Sequence, residues 1–278
     1  MRTAVCSWSL RPSGPDELAS LLRDLRIMRV QLALVPCVED PQRWGHACAT
    51  LRDAGIAIVS GMLATVGEDY STLESIARTG GVRGDRWWNA NLDRAIRVAE
   101  FAAAHRIALV TFHAGFIPHE RGDPARAVML DRLRTVIDIF AQRGVDVAFE
   151  TGQESAVTLW QALADLDRPR ASVNFDPANM ILYGMGDPVA AVRALATRIR
   201  QVHIKDAVAT AVAGTWGREV RAGDGQVQWR EFLETVRDAN VAAGRDREDI
   251  DLVIEREAGA ARAGDVAHAR DLLASLGA

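Results

Sequence analysis

Short apolar runs recur along this chain at 3–8, 29–35, 56–59, 107–112, 145–150, 171–175, 199–204 and 250–254. Longer stretches with apolar residues at helical spacing separate them. Leu18, Leu21, Leu22 and Leu25 form a stripe on a helix opened by Pro15. Trp44, Ala47, Cys48 and Leu51 do the same on a helix over 40–54 that Gly55 ends. The same spacing predicts helices over 86–105, 125–143, 155–166, 187–197, 229–243 and 264–276. Apolar runs without polar alternation suit a parallel sheet covered on both faces.

Eight strands, each followed by at least one helix, demand parallel pairing with right-handed crossovers. They point to a single α/β domain over 1–278, a (β/α)8 TIM barrel. A doubly wound open sheet is the alternative, but no G-x-G-x-x-G follows the first strand. Two segments break the rhythm and read as elaborated loops after strands 3 and 7. One is 62–85, with Gly67, Gly80, Gly81 and Gly84 around a short helical stretch; the other runs from Asp206 to Val227.

Four of the runs end in a chemically active group: Glu150, Asp176, His203 and Glu255. In a barrel the C-terminal strand ends converge on one mouth, so these four meet in space. Three carboxylates and one imidazole around a point repel one another unless a cation sits among them. One bound divalent metal resolves this. Oxygen-rich coordination with a single His favours Mn²⁺ or Mg²⁺, with Co²⁺ or Zn²⁺ next, since no thiolate is expected at a strand end. Asp176 precedes Pro177 and also suits a helix N-cap. Lys205 shares a strand face with His203. His113 directly follows the fourth strand and is expected at the same mouth, while Asn174 and Asn179 flank Asp176 as groups for sugar hydroxyls or for carboxylates. Trp8 is placed to be a stacking wall or barrel packing, and Trp87 with Trp88 a lid, an oligomer contact or a cover on the barrel flank.

Composition narrows the class. With 49% hydrophobic and 25% charged residues, 22 Gly and 9 Pro, the chain reads as an ordinary globular protein. A net charge of −4 supplies no basic field for nucleic acid or anionic lipid. The three cysteines are odd in number and far apart, which suits a reducing cytoplasm. The N-terminal apolar run is too short for a signal peptide, and no segment approaches the ~18 apolar residues of a membrane span.

Phe-Glu-Thr-Gly at 149–152, Asn-Phe-Asp-Pro-Ala-Asn at 174–179, Val-His-Ile-Lys-Asp at 202–206, Gly223-Asp-Gly-Gln-Val-Gln-Trp229 and Val-Ile-Glu-Arg at 253–256 resemble the xylose isomerase-like TIM barrel superfamily, within its sugar phosphate isomerase/epimerase group. That group includes ketose 3-epimerases, hydroxypyruvate isomerase, inosose dehydratase and, more distantly, endonuclease IV-type repair enzymes. The resemblance implies metal ligands at Glu150, Asp176, His203 and Glu255, with Glu150 and Glu255 as acid and base. It implies an isomerase or epimerase acting on a small sugar by proton abstraction next to a carbonyl. An inosose-type dehydratase or lyase is the alternative on the same site. A non-catalytic sugar-binding barrel and an endonuclease IV-like enzyme are more remote; the latter needs further histidines, and residues 207–255 hold none. Ketose epimerases carry a His and an Arg where this chain has Asn179 and Ala209, which puts a tagatose- or psicose-type substrate in doubt. Sequence leaves a homo-oligomer open.

Overall fold

The computed structural model describes residues 1–278, with the strands β1 (Arg2–Cys6), β2 (Arg29–Ala33), β3 (Ala57–Met62), β4 (Leu109–Phe112), β5 (Asp146–Glu150), β6 (Ala171–Phe175), β7 (Ile199–Ile204), β8 (Asp206–Val208), β9 (Arg218–Val220) and β10 (Asp251–Ile254). Eight of them close a barrel in the order β1-β10-β7-β6-β5-β4-β3-β2. Every pairing is parallel, and β1 closes on β10 with Arg2 opposite Asp251 and Val5 opposite Ile254. The expected barrel, not the open sheet, is the fold. Its helices bury leucine-rich faces such as Leu18 and Leu22 against the outer strand surfaces.

Several boundaries differ from the sequence reading, and the differences shape the mouth. Strand β1 stops at Cys6 because Ser7–Leu10 turns as a 3-10 helix closed by Arg11 in the left-handed region. Cys6 therefore does end a strand, against the expectation that no thiol stands there. Strand β2 passes directly into a short helix, Leu34–Glu39, and β3 runs on to Met62. After β6 a further helix, Pro177–Tyr183, begins at Asp176, whose carboxylate accepts from the Asn179 amide at 2.9 Å, and ends at Gly184 with φ 67°. The capping role and the mouth-facing role of Asp176 coexist, because each uses a different oxygen.

The excursion after β7 is ordered by one buried carboxylate. Asp206 accepts from the backbone of Gly223 (2.9 Å), Gly225 (3.2 Å) and Val227 (3.1 Å) and from Trp229 Nε1 (2.9 Å). A Cβ at Gly225 would lie 2.1 Å from that carboxylate, which is why glycine stands there. Strands β8 and β9 pair antiparallel within this segment. In the loop after β3, Thr72 and Ser75 form a reciprocal cap on the helix Leu73–Thr79. Trp87 and Trp88 lie half-buried on the barrel flank, with Arg86 4.8 Å and Arg132 5.2 Å above their rings.

The barrel interior is not wholly apolar. Ser60 Oγ donates to Gln201 Oε1 (2.6 Å), Gln201 Nε2 to Asn174 Oδ1 (3.1 Å), and Gln31 Nε2 to Thr111 Oγ1 (2.8 Å), all fully buried or nearly so. A satisfied polar layer of this kind fixes side-chain positions more tightly than apolar packing does. It forms the floor of the mouth. The three cysteines are free and buried, and no helix is long and apolar enough to cross a membrane.

Candidate metal centre

Glu150 is the last residue of β5, His203 lies near the end of β7, and Asp176 and Glu255 directly follow β6 and β10. These strands are consecutive around the barrel, so the four side chains come together although they span more than a hundred positions. Each is at most 5% exposed, and one ligand atom from each lies within 4.8 Å of all the others.

His203 is oriented from below. Its Nε2 meets Gln31 Oε1 at 2.8 Å, and the Gln31 amide nitrogen is already donating to Thr111, so Gln31 presents its oxygen and Nε2–H donates. Nδ1 makes no hydrogen bond and lies 3.5 Å from Glu150, 3.7 Å from Asp176 and 3.4 Å from Glu255. Burial lowers the imidazole, but its neighbours, Glu150 and Glu255 among them, raise it well above its ordinary range, so Nδ1 holds a proton unless a cation takes its place. Asp176 Oδ2 is likewise buried and unpartnered. Two buried atoms without hydrogen bonds, aimed at a common point among carboxylates, fit a cation, and the set of three carboxylates with one imidazole nitrogen suits a hard or borderline divalent ion. Cys6 Sγ lies 3.8 Å from Nε2, and burial pushes its thiol up; with His203 and Glu255 it forms a second, three-membered cluster of groups able to hold a metal.

The remaining predicted residues surround this centre unequally. Lys205 Nζ donates to Glu255 Oε2 at 2.9 Å and to Glu257 Oε2 at 2.7 Å, reaches Asn179 Oδ1 at 3.3 Å, and lies 3.8 Å from Asp176. Burial alone would depress its ammonium, but Glu255, Glu257 and Asp176 raise it well above the ordinary lysine range. Trp8 Nε1 donates to Glu255 Oε1 at 2.8 Å, so both oxygens of Glu255 are held. Asn179 Nδ2 donates to Glu150 Oε1 at 2.9 Å and thereby bridges Glu150 to Lys205. His113 Nε2 stands 3.7 Å from the same oxygen, and its Nδ1 has no partner. Asn174 stands in the second of its two expected roles, beside a carboxylate and not among groups open to a sugar. It is fully buried under the centre, 3.0 Å from His203 Nε2 and 3.4 Å from Glu150 Oε2, because a residue within a strand cannot stand as high as those at its end.

The electrostatics follow from these contacts. Burial pushes the carboxyls of Glu150 and Glu255 up, yet His113 and His203 beside the first, and Lys205 and His203 beside the second, bring both below the usual range. For Asp176 burial wins over Lys205, and its carboxyl is raised. Glu154, in the loop after β5, is buried with one oxygen unpartnered, and burial alone pushes it up to about 8. It adds no charge at neutral pH.

Several neighbours carry no sequence signal. Gln31 lies inside an apolar run, and Glu257 sits two residues beyond Glu255 in a loop. Tyr70 and Trp216 come from the elaborated loops after β3 and β7, on opposite sides of the barrel. Their rings meet at 6.4 Å, and Tyr183 and Phe116 continue the cover at 5.0 and 5.5 Å. Arg256 is not free for an anion: Glu219 holds it at 2.7 Å and Asp265 at 2.8 Å.

A closed parallel barrel with a buried Glu-Asp-His-Glu set at its C-terminal mouth defines a TIM barrel with a site able to hold a metal ion. The chain belongs to the xylose isomerase-like TIM barrel family, whose sequence profile matches residues 38–276. Among solved structures it resembles a xylose isomerase domain protein from Planctomyces limnophilus, with 29% identity and a TM-score of 0.83 over 99% of this chain and 95% of that one. It also resembles a xylose isomerase-like TIM barrel protein from Mycobacterium smegmatis in complex with magnesium (16% identity, TM-score 0.67, 94% and 87% covered). A third is the 3-keto-D-glucoside 4-epimerase YcjR from E. coli (14% identity, TM-score 0.70, 99% of each chain). At such low identity the last two likenesses speak for the fold. No curated protein matches the chain.

Proposed function

We propose that the protein is a divalent-metal-dependent isomerase or epimerase of a ketose or related keto-sugar, with Glu150 and Glu255 as the acid and base at the carbon next to the carbonyl. The observation that carries this reading is the pair of buried atoms without hydrogen bonds, His203 Nδ1 and Asp176 Oδ2, aimed between two further carboxylates. Family membership and the printed activity of the E. coli neighbour support it, and the magnesium in the M. smegmatis neighbour supports the choice of ion. Glu150, Asp176, His203 and Glu255 would hold the ion, which would supply positive charge to the substrate carbonyl and so acidify the adjacent C–H.

The protein's own groups do the rest. Glu150 and Glu255 come from strands separated by β6 and β7, so they face the substrate from different sides. One removes the proton and the other returns one to the opposite face, which inverts the carbon. Trp8 and Lys205 fix the plane of Glu255, and Asn179 fixes that of Glu150. Lys205 offers its positive charge to an oxygen that gains negative charge during the transfer. His113, with a free Nδ1, serves a substrate hydroxyl. Tyr70, Trp216, Tyr183 and Phe116 form a joined set of rings from the loops over the mouth.

The direct test is exchange of the hydrogen next to the carbonyl with D₂O, followed by NMR on a panel of ketoses and 3-keto-glucosides with Mn²⁺-loaded protein. Exchange that disappears on chelation is the expected result; a metal-loaded protein that exchanges nothing on the panel overturns the reading. Lys205→Met is expected to lower turnover about 10²-fold while metal content stays at the wild-type value, measured by elemental analysis. Loss of the metal in that variant would place Lys205 among the groups that hold the donors in position instead.

A further inference from the structure

We infer that the substrate carries an apolar substituent beside its hydroxy-ketone, and that this substituent lies in the cleft over β2 and β3. The inference rests on the sugar chemistry proposed above only for the part of the molecule at the metal centre. A cavity of about 420 Å³ opens beside that centre, with His113 and Glu257 at its inner end. Such a volume is in the range of ligand pockets, ~300–1,000 Å³. Trp8 joins the two regions: its Nε1 holds Glu255 while the residue lines the cleft.

The outer wall is built from Val35, Pro36, Met62, Leu63 and Tyr70. It exists because β2 turns straight into a helix and β3 runs on to Met62, which raises carbon-rich side chains where a loop with polar groups would otherwise stand. No Lys or Arg lines the cleft; its acidic and basic side chains are Glu68, His113 and Glu257, the last held by Lys205 at 2.7 Å. A phosphate or carboxylate on the substrate would find no Arg or Lys in the wall to pair with it. A second sugar ring would set most of its hydroxyls against carbon, with Thr65, Glu68 and Tyr70 the polar side chains in the wall, and would leave the others' hydrogen bonds unmade. An uncharged apolar group, such as the aglycone of a glycoside, instead gains by leaving water.

The test compares phenyl β-D-glucopyranoside with methyl β-D-glucopyranoside by calorimetry on full-length, Mn²⁺-loaded protein. The phenyl glycoside is expected to bind at least about tenfold more tightly, and Val35→Asp and Tyr70→Ala, each confirmed as folded by circular dichroism, are expected to remove most of that difference. Equal affinity for the two glycosides, or a phenyl preference untouched by either variant, overturns the inference. The chemistry is read separately, from deuterium exchange on the 3-keto forms. Phenyl-selective binding without any exchange keeps the cleft assignment and sinks the proposed reaction. Exchange of free ketoses as fast as of phenyl 3-keto-glucoside, with equal binding, does the reverse.

Discussion

Glu150→Gln and Glu255→Gln are each expected to lower turnover by about 10²–10⁴-fold, the usual worth of a general acid or base, while most of the metal and the sugar affinity remain. An amide still offers an oxygen to a cation but takes up no proton. The two variants are not equivalent, because their surroundings differ. Both oxygens of Glu255 accept hydrogen bonds, from Trp8 at 2.8 Å and Lys205 at 2.9 Å, so an amide nitrogen in either place opposes a donor. Around Glu150 one oxygen accepts firmly, from Asn179 at 2.9 Å, and the other has only the 3.4 Å contact with Asn174. Glu255→Gln is therefore expected to lower thermal stability as well as activity, and Glu150→Gln mainly activity. A variant that still exchanges the substrate hydrogen with D₂O but forms no product has kept the base and lost the acid for that direction. Wild-type turnover in both amide variants on an identified substrate would show that the chemistry lies elsewhere, with Lys205 and His113 the next groups to examine.

The second large effect is expected in the metal itself. Untreated protein should contain one divalent ion per chain, and His203→Ala and Asp176→Ala should lose it, as measured by elemental analysis. Full metal in both variants would sink the assignment of the four ligands. Chelation should also lower the melting temperature, since an ion present at 1,000 times its dissociation constant stabilises the fold by about 4 kcal/mol. Asp176 needs a separate control because its other oxygen caps the helix Pro177–Tyr183. Loss of that cap alone costs about 1 kcal/mol. Asp176→Asn keeps an oxygen for the cap and removes the charge, so a metal loss shared by the Ala and Asn variants belongs to coordination and not to the helix.

How much of this was legible in advance depended on whether the signal was local. The alternation of apolar runs and helical stripes is written within windows of ten to twenty residues, and it specified the barrel and the order of its strands. A carboxylate or imidazole at the end of an apolar run is also local, and barrel geometry then brings Glu150, Asp176, His203 and Glu255 to one mouth. The short helix after Asp176 was announced only by its cap, and Cys6 was misplaced because a 3-10 turn cuts the first apolar run short.

What tertiary structure decided were the partners of these groups. Gln31 orients the His203 ring from 172 positions away, and Trp8 holds Glu255 from 247. Asn174, a neighbour of Asp176 in sequence, sits one layer below it, against His203 and Glu150. Tyr70 and Trp216 meet over the mouth from loops on opposite strands, with no shared pattern to pair them. Periodicity reports which face of an element is buried and where the element stops. It carries no information on which side chains then stand opposite one another, because that is set by the register of β1 against β10, the depth of each residue within its strand and the path of the loops, all fixed only when the barrel closes.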